Sequence, residues 1–391
     1  METVSTTSPN RLASEDHDNG FLLNIGTDVI VIGAGPAGIA TAIAASQRGL
    51  RVIVLDARTP PIDKPCGEGL LPQGVAALSA LGIYLNSDIA IPFTGIRFAD
   101  EESSVYADFP DATGFALRRV RLHQLLVERA TQVGVTFLWG TRVTDVNSRS
   151  INAGGKQIAY SWLVGADGQD STVRRWAKLG PRHVGRKRFG FRQHFRIPEW
   201  PNIVDAYWSK HCQMLTTPTG AREVCVVALS RDSHLRLDQA LPLFPVLAER
   251  LRDATPITRE LGEVTSLTQL PAVTRERVAL VGDASGTVDA ITGQGLSLSF
   301  QQAIPLAEAF ERGDLTHYES AHRRIAAAPV MMSRLMLIME RNVWARRRIF
   351  RLFQSTPSLF SKLMAIHTGT LPISSVGVRE MVDLGWKLLR A

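Results

Sequence analysis

The feature that most constrains the fold is the segment 29–56, which reads VIVIGAGPAGIATAIAASQRGLRVIVLD. A β-branched run enters a glycine-rich turn, an apolar helical stretch follows, and a second strand-like run ends at Asp56. Gly33 permits a tight turn, Gly35 lets a pyrophosphate approach the backbone, and Gly38 allows helix and sheet to pack closely. The helix N-terminus offers free N–H groups to a diphosphate, and a carboxylate at position 56 can bind an adenosine ribose. The segment therefore predicts a complete β-α-β unit that binds a dinucleotide.

The chain of 391 residues is long enough for two domains, or for one domain with a large insertion. Residues 1–27 lack the basic region and apolar core of a secretory signal, so we expect a loose N-terminal arm. The sequence contains no run of 18 apolar residues, so we do not expect a transmembrane span. The three cysteines are Cys66, Cys212 and Cys225, and their odd number favours a cytoplasmic setting over a disulfide framework. They lack metal-ligand spacing, so we expect no metal site.

The net charge of +7 is concentrated at the C-terminal end of the chain. Residues 331–391 contain 10 Lys/Arg and 3 Asp/Glu, whereas the rest of the chain is balanced. No nucleic-acid recognition module accompanies this charge, so we do not expect a nucleic-acid partner. Apolar residues at helical spacing over 331–353, interrupted by three arginines, predict a basic helix. It either packs on the nucleotide-binding domain, which we favour, or makes peripheral membrane contact.

Four further segments carry residues suited to chemistry. The first is a loop in which two glycines flank Glu68, as expected where backbone approaches a ligand closely. The second opens a helix with an arginine, and the third is a strand that ends in Asp-Gly. The fourth is a strand that ends in Gly-Asp, after which a pair of glycines opens a long helix. The segments are KPCGEGLLP (64–72), ALRRVRLHQLL (116–126), LVGADGQDSTVR (163–174) and VALVGDASGTVDAITGQGL (278–296).

The order of these motifs carries a resemblance. GxGxxG at 33–38, Asp167-Gly168 and Gly282-Asp283 follow one another as in the FAD-dependent oxidoreductases of the p-hydroxybenzoate hydroxylase and geranylgeranyl reductase superfamily, which the chain resembles over about residues 27 to 325. The resemblance implies an α/β fold, in which a Rossmann-like FAD-binding domain holds an inserted, mainly antiparallel β-sheet substrate domain and is followed by C-terminal helices. The implied divisions are 28–90, 108–182 and 270–330 for FAD, 91–107 and 183–269 for substrate, and 331–391 for the basic helical segment.

The resemblance also implies a cofactor site. The glycine turn would hold the ADP half of FAD, and Asp283 would hydrogen-bond the ribityl chain. The helix after it would point its N-terminus at the flavin pyrimidine ring and stabilise the negative charge of reduced flavin. Arg119 matches the FAD-contacting arginine of the family, with the adjacent Arg118 as the alternative. The cofactor residues are thus Gly33, Gly35, Ala37, Gly38, Asp56, Arg119, Asp283, Gly293, Gln294 and Gly295.

Two residues of the 64–72 loop are candidates for catalysis, and each has a structural alternative. Cys66 is either a flavin-proximal redox thiol or a small packing residue. Glu68 is either a general acid or substrate orienter, or the cap of a helix that starts near Pro72. His123 is expected to be a surface or capping histidine.

Three reaction types share this frame: monooxygenation, prenyl reduction and halogenation. The WxWxIP signature of halogenases is missing, and so is the YxWxFP stretch of geranylgeranyl reductases. We predict an FAD-dependent monooxygenase that acts on an apolar or aromatic small molecule through a flavin C4a-hydroperoxide. The alternative is a flavin reductase of isoprenoid or polyene double bonds. No second GxGxxG is present, so either NAD(P)H binds transiently as electron donor or a separate reductase supplies electrons.

Overall fold

The computed structural model describes residues 27–109, 112–181 and 183–375. The predicted N-terminal arm lies outside the described residues except for Thr27, and so does the part of the basic segment beyond residue 375. The architecture combines parallel and antiparallel sheets with C-terminal helices, which confirms the predicted fold class.

Within the described ranges, the strands fall into two large sheets and three small ones. In chain order they are β1 (Val29–Ile32), β2 (Val52–Asp56), β3 (Gly69–Leu70), β4 (Ile91–Phe93), β5 (Gly95–Ala99), β6 (Ser104–Asp108), β7 (Gly114–Ala116), β8 (Thr136–Trp139), β9 (Val143–Val146), β10 (Ser150–Ala153), β11 (Lys156–Ala159), β12 (Trp162–Gly165), β13 (His183–Val184), β14 (Arg188–Arg196), β15 (Val204–Trp208), β16 (Cys212–Gly220), β17 (Glu223–Ser230), β18 (Thr255–Pro256), β19 (Leu261–Thr265), β20 (Thr268–Gln269), β21 (Thr274–Arg275) and β22 (Val278–Leu280).

Some helices pack on the first large sheet, and others pack on the second. They are α1 (Pro36–Ser46), α2 (Pro72–Ala80), α3 (Arg119–Gln132), α4 (Thr172–Trp176), α5 (Leu237–Ala240), α6 (Pro245–Arg250), α7 (Gly295–Gln301), α8 (Ala303–Arg312), α9 (Thr316–Arg341), α10 (Val343–Ser355) and α11 (Pro357–His367). Short 3₁₀ turns occupy Leu241–Leu243, Gly282–Ser285, Ala290–Thr292 and Ile373–Ser375. None of the helices in the described ranges combines the length and the apolar character needed to cross a bilayer.

The first large sheet has the strand order β21-β22-β12-β1-β2-β8, and its inner strands run parallel. The β-branched residues of β1 favour an extended backbone, and three of its four residues are buried. Helix α1 starts at Pro36, whose fixed φ suits a first helical position, and ten of its eleven residues are buried. The carboxyl ends of β1, β2 and β12 thus lie side by side, and the glycine turn, Asp56 and Asp167 follow them.

The second large sheet has the order β18-β14-β17-β16-β15-β5-β6, with β19 paired to β14. Its pairs are antiparallel except β15 with β5. Strand β4 lies within the segment assigned to this sheet but pairs with β7 in a separate three-stranded sheet. Pro92 of β4 lacks the amide hydrogen that an inner strand donates, which fits a strand with a single neighbour.

The C-terminal helices differ from prediction in two respects. Helix α9 runs through the predicted boundary at 330/331 and ends at Arg341, where Asn342 caps α10 by accepting from the Ala345 amide at 3.0 Å. One continuous helix over 331–353 is therefore wrong. The predicted packing on the FAD domain fits only the first half of the segment: Ser333 of α9 accepts from the Asp289 amide at 3.2 Å, whereas α10, with Phe350 and Phe353, lies in one apolar cluster with Phe98 of the second sheet.

Candidate active site

A cavity of about 660 Å³ extends from the carboxyl ends of the first sheet to one face of the second sheet. The glycine turn, the 64–69 loop, the start of α3 and the 283–295 segment line its first part. Alternate residues of β5, β15, β16 and β17 line the other part, together with Met336 of α9 and His367 of α11. The same cavity therefore offers a polar end for a nucleotide and an apolar end for a second molecule.

The three glycines of the turn have different surroundings. A Cβ at Gly33, whose φ is +108°, would lie 2.3 Å from the Ala166 carbonyl oxygen, and one at Gly38 would lie 2.0 Å from the Gly33 carbonyl oxygen. A Cβ at Gly35 would meet no atom within 4 Å, and Gly35 lines the cavity with Ala37. Gly33 and Gly38 are thus required by the packing of the chain, whereas Gly35 leaves room for a ligand.

Two side chains hold this turn in place. Asp56, at the end of β2, accepts hydrogen bonds from the Ala34 amide and the Arg58 amide, both at 2.9 Å. His123 is buried, and one ring nitrogen lies 2.9 Å from the Ala34 carbonyl. Burial lowers the pKa of His123, so the ring is neutral and donates to that carbonyl. His123 is therefore not the surface residue that the sequence suggested.

The Asp283 carboxylate lies in the cavity wall, and no protein group among the described residues donates a hydrogen bond to it. Desolvation raises the pKa of Asp283, and the positive charges of Lys64 and Arg119 oppose the rise. Arg119 lines the cavity, and its buried Nε has no hydrogen-bond partner in the described part of the chain. Arg118 instead pairs with Glu223 at 2.6 Å. The geometry thus favours Arg119 over Arg118 as the arginine that faces a cofactor.

The loop before α7 combines open backbone with an anchored side chain. Gly293 and Gly295 line the cavity, and a Cβ at either would meet no atom within 4 Å. Gln294 between them is buried, and its Nε2 donates to the His367 carbonyl at 2.6 Å. Gln294 therefore attaches this loop to α11 through its side chain.

Glu68 is the centre of a buried polar network. Its side chain is fully buried, and its backbone adopts φ +62°, which is uncommon outside glycine. The carboxylate accepts from the Arg192 guanidinium at 2.9 Å and from the Arg119 amide at 3.0 Å, and lies 2.6 Å from Nε2 of His194. Glu68 therefore caps α3, not the helix near Pro72, and ties the 64–69 loop to β14.

Of the two cysteines near Glu68, Cys225 is buried and Cys66 is half-buried. Desolvation raises the pKa of Cys66, which lines the cavity, and raises that of Cys225 well above its usual value. Both are therefore protonated at neutral pH and weak nucleophiles. Potential ligand atoms of Glu68, His194 and Cys225 lie within 4.8 Å of one another. Since Arg192 already neutralises the Glu68 carboxylate, the absence of a metal site stays our prediction.

The apolar end of the cavity is formed mainly by side chains from one face of the second sheet. Period-two alternation places these residues inward, while neighbours such as Arg97 and Asp205 pair on the opposite face at 2.8 Å. The sequence predicted a substrate-binding sheet but not the individual residues of this wall, because they are far apart along the chain. The sheet contributes Ile96, Phe98, Val204, Ala206, Leu215, Val227 and Leu229, and Phe93, Ile291 and Met336 from neighbouring elements complete the apolar end.

Comparisons with known proteins agree with this geometry. The family described as FAD binding domain matches residues 26–313. A menaquinone reductase of Mycolicibacterium smegmatis is 29% identical over 76% of this chain and 80% of its own length. A rifampicin monooxygenase of Rhodococcus hoagii is 26% identical over 77% of this chain and 69% of its own length.

The fold is also found in solved structures. A flavoprotein/dehydrogenase from Cytophaga hutchinsonii superposes with a TM-score of 0.73 at 17% identity, and the match covers 88% of this chain and 92% of that one. At this identity the likeness concerns the fold alone.

Proposed function

The chain belongs to the FAD binding domain family, and from this premise we propose that it is an FAD-dependent monooxygenase of an apolar or aromatic small molecule. The family confirms the predicted FAD cofactor and the oxidoreductase class. Relatives named as monooxygenases support the reaction type. The observation that carries the proposal is the single cavity in which the cofactor residues adjoin an apolar wall.

The residues of the cavity fit FAD. Gly35, Gly293 and Gly295 present backbone without side-chain obstruction, as a large ligand requires. Asp283 has a carboxylate free to accept from ribityl hydroxyls, and Arg119 has an unsatisfied Nε. Asp283 is exposed in the cavity, so a ligand with hydroxyl donors can reach its carboxylate. When bound, FAD supplies the electron transfer and the activation of oxygen.

The protein then performs the tasks that the cofactor cannot. The apolar wall of the second sheet excludes water from the reacting atoms and takes up the apolar body of the substrate. The network around Glu68 fixes the 64–69 loop between the two sheets. Lys64 and Arg119 bring positive charge to the cavity near Asp283, where an anionic cofactor is favoured.

The test is rapid mixing of the purified, anaerobically reduced protein with oxygenated buffer. A monooxygenase is expected to show a transient absorbance distinct from both the reduced and the oxidised flavin spectra. With a panel of aromatic compounds under ¹⁸O₂, one product should gain a single ¹⁸O atom. Consumption of oxygen that yields only hydrogen peroxide with every compound would contradict the proposal.

A second candidate function is a flavin reductase, which we propose acts on an isoprenoid double bond, and the 29% identity to a menaquinone reductase favours a reductase. The apolar wall also suits a lipophilic substrate. The discriminating experiment is a single turnover of reduced protein with menaquinone in the strict absence of oxygen. A product two mass units heavier in its side chain would favour the reductase, whereas unchanged menaquinone would favour the monooxygenase.

The electron donor belongs to the same proposal. We infer that NAD(P)H binds transiently, because the sequence holds one GxGxxG fingerprint and the β1–α1–β2 unit uses it. Flavin bleaching after anaerobic addition of NADH or NADPH tests this inference. If neither reduces the flavin within minutes, a separate reductase supplies the electrons.

We further propose that this enzyme is cytoplasmic and makes peripheral contact with a membrane. Trp344 and Ile338 are mostly exposed, and the Arg348 guanidinium stacks 3.9 Å from the Trp344 ring. Aromatic and basic side chains together suit a lipid headgroup region. Co-sedimentation with vesicles containing anionic lipid tests this, and the Trp344→Ser variant should bind less. Equal recovery of both proteins in the supernatant would contradict it.

A further inference from the structure

Helix α9 lies along the segment that places Asp283 in the cavity. The helix starts after the last residue matched by the FAD binding domain family. Near its start, the Tyr318 hydroxyl donates to the Leu280 carbonyl at 2.8 Å, at the end of β22. Further along, the Ser333 hydroxyl accepts from the Asp289 amide at 3.2 Å. The segment is therefore held by α9 on both sides of Asp283.

Between these two contacts, His322 of α9 reaches the 3₁₀ turn Gly282–Ser285, which contains Asp283. Nε2 of His322 lies 3.0 Å from the Ser285 hydroxyl oxygen, and that hydroxyl donates to the Gly282 carbonyl at 2.8 Å. Desolvation lowers the pKa of His322 to about 4, so the ring is neutral at pH 7 and carries one N–H. Since Ser285 has already used its hydrogen, we assign this N–H to Nε2. His322 thus donates to Ser285, which in turn donates to the residue directly before Asp283.

The turn that receives this hydrogen bond is closely constrained, whereas the carboxylate it carries is not. Ser285 is 1% exposed, so water is a poor substitute for the imidazole as its donor. Gly282 has φ +57°, and its amide donates to Oε1 of Gln302 at 2.7 Å. Asp283 is exposed in the cavity. The position of its carboxylate therefore depends on the backbone of the turn.

We propose that His322 is a positioning residue for FAD, because through Ser285 it fixes the turn in the orientation from which Asp283 meets the ribityl hydroxyls. His322 does not line the cavity, so it acts through the turn and not by contact with the cofactor. A hydrogen bond weakens steeply when its angle is poor, so a small rotation of the turn lowers FAD affinity while the carboxylate remains. This inference rests on the proposed function, since it assumes that Asp283 binds FAD.

The test is a double-mutant cycle on FAD affinity. Full-length apoprotein is titrated with FAD at pH 8, followed by tryptophan fluorescence, for the wild type, His322→Leu, Asp283→Ala and the double variant. His322→Leu should weaken FAD binding about tenfold, as expected for one hydrogen bond. Added to Asp283→Ala, it should weaken binding by less than about twofold, because the carboxylate that it positions is already gone. A merely structural role would weaken FAD binding equally in both backgrounds.

Two further variants serve as rescue and control. His322→Gln offers an amide N–H near the position of Nε2 and should bind FAD within about threefold of the wild type. His317→Leu replaces a half-buried histidine on the same helix that lies 3.7 Å from Glu308 and does not line the cavity. It should bind FAD as tightly as the wild-type protein.

Wild-type affinity in His322→Leu overturns the proposal, and so does an equal loss with and without the Asp283 carboxylate. An equal loss in His317→Leu, or no rescue in His322→Gln, also overturns it. If His322→Leu is not folded by circular dichroism, Ser285→Ala takes its place in the cycle with the same expectation, since it removes the other partner of the hydrogen bond. Unchanged affinity in Asp283→Ala would refute the FAD contact and this proposal together. Failure of the proposed reaction would appear instead in the oxygen-mixing experiment.

Discussion

At the scale of single residues, Asp283 is a carboxylate in the cavity wall without a protein donor among the described residues. Replacing it by alanine removes hydrogen bonds to FAD without opening an apolar core. We expect Asp283→Ala to weaken FAD binding by about 10- to 100-fold, which corresponds to one or two hydrogen bonds to a charged group. Titration of the apoprotein with FAD, followed by tryptophan fluorescence, measures this.

The matched control is Asp145→Ala, since Asp145 is exposed on β9 and does not line the cavity. It should bind FAD as tightly as the wild-type protein. Full retention of FAD affinity in Asp283→Ala would refute the assigned ribityl contact.

Glu68 gives a prediction about stability. Glu68→Gln leaves the buried Arg192 with Asp63, at 2.8 Å, as its remaining anion, and removes the charge that caps α3. Because buried charges that lose a partner are costly, we expect the free energy of unfolding to fall by about 3 kcal/mol. Urea denaturation measures the loss. Glu102→Gln breaks the exposed pair with Arg347 and should change stability by less than about 1 kcal/mol. Similar losses in both variants would count against the network.

The residues that sequence reasoning could identify are those whose roles are set locally. Gly33 and Asp283 stand in short motifs in which turn, strand end and ligand contact follow one another along the chain. Arg192, His194 and His367 carry no such signal, because their roles depend on contacts with motif residues that lie more than 70 residues away along the chain. For Gln294 the motif predicted the location, but the side chain attaches to α11.

At the scale of elements, the 3₁₀ turn Ala290–Thr292 is tied to β14 by a buried ion pair. Arg188 contacts Asp289 at 2.5 Å, and both side chains are 1% exposed. Arg188→Met leaves a buried carboxylate without its cation, so we expect a loss of about 3–5 kcal/mol in the free energy of unfolding. The double variant Arg188→Met/Asp289→Asn should recover part of this loss. Guanidinium denaturation of the four proteins of this cycle gives the coupling energy.

The control for this cycle is Arg252→Met, whose partner Glu249 is exposed on α6. We expect a change below about 0.5 kcal/mol there. Strict additivity of the Arg188 and Asp289 substitutions would mean that the pair does not connect the turn to the sheet.

Helix α9 gives a prediction about pH. Burial lowers the pKa of His322 from 6.5 to about 4; the charge of Glu319 opposes this shift weakly, and the charge of Arg323 adds to it. Between pH 6.5 and pH 4 the unfolded chain therefore binds a proton on this histidine that the folded protein does not bind. The free energy of unfolding consequently falls as the pH drops below 6.5. For this one group the expected loss between pH 8 and pH 5 is about 2 kcal/mol.

The measurement is the difference in urea stability between pH 8 and pH 5. In His322→Asn this difference should be smaller by about 2 kcal/mol than in the wild-type protein. His234→Asn, an exposed histidine, should leave it unchanged. An undiminished pH dependence in His322→Asn would contradict the neutral, desolvated state of the ring.

Which elements form was easier to predict than where they end. The apolar pattern over 331–353 predicted helix correctly, but it did not reveal that Asn342 stops α9 and caps α10. The pattern also could not show the neighbour, because an apolar stripe is equally suited to either domain. The basic cluster is split by tertiary contacts: Arg346 is buried beside the Ser209 carbonyl, and Arg347 pairs with Glu102.

At the scale of the whole molecule, two sheets of different kinds share one cavity. The parallel sheet contributes loops from the ends of its strands, whereas the second sheet contributes a face. Loop residues bind through backbone groups and a few polar side chains, and the face binds through apolar area. FAD affinity and substrate affinity should therefore respond to different substitutions.

Ala206→Trp tests this separation. Ala206 lies on the apolar face of β15 and lines the cavity, so an indole there would occupy space that the substrate needs. We expect 2-naphthol to bind at least about tenfold more weakly, since apolar contact is lost and the larger side chain competes for the site. FAD content should stay at the wild-type level, because the glycine turn and Asp283 belong to the other end of the cavity. Val246→Trp, on the exposed surface of α6, controls for the added tryptophan. If Ala206→Trp lost FAD together with naphthol binding while remaining folded by circular dichroism, the two ends of the cavity would not be independent, and the division of labour between the sheets would be wrong.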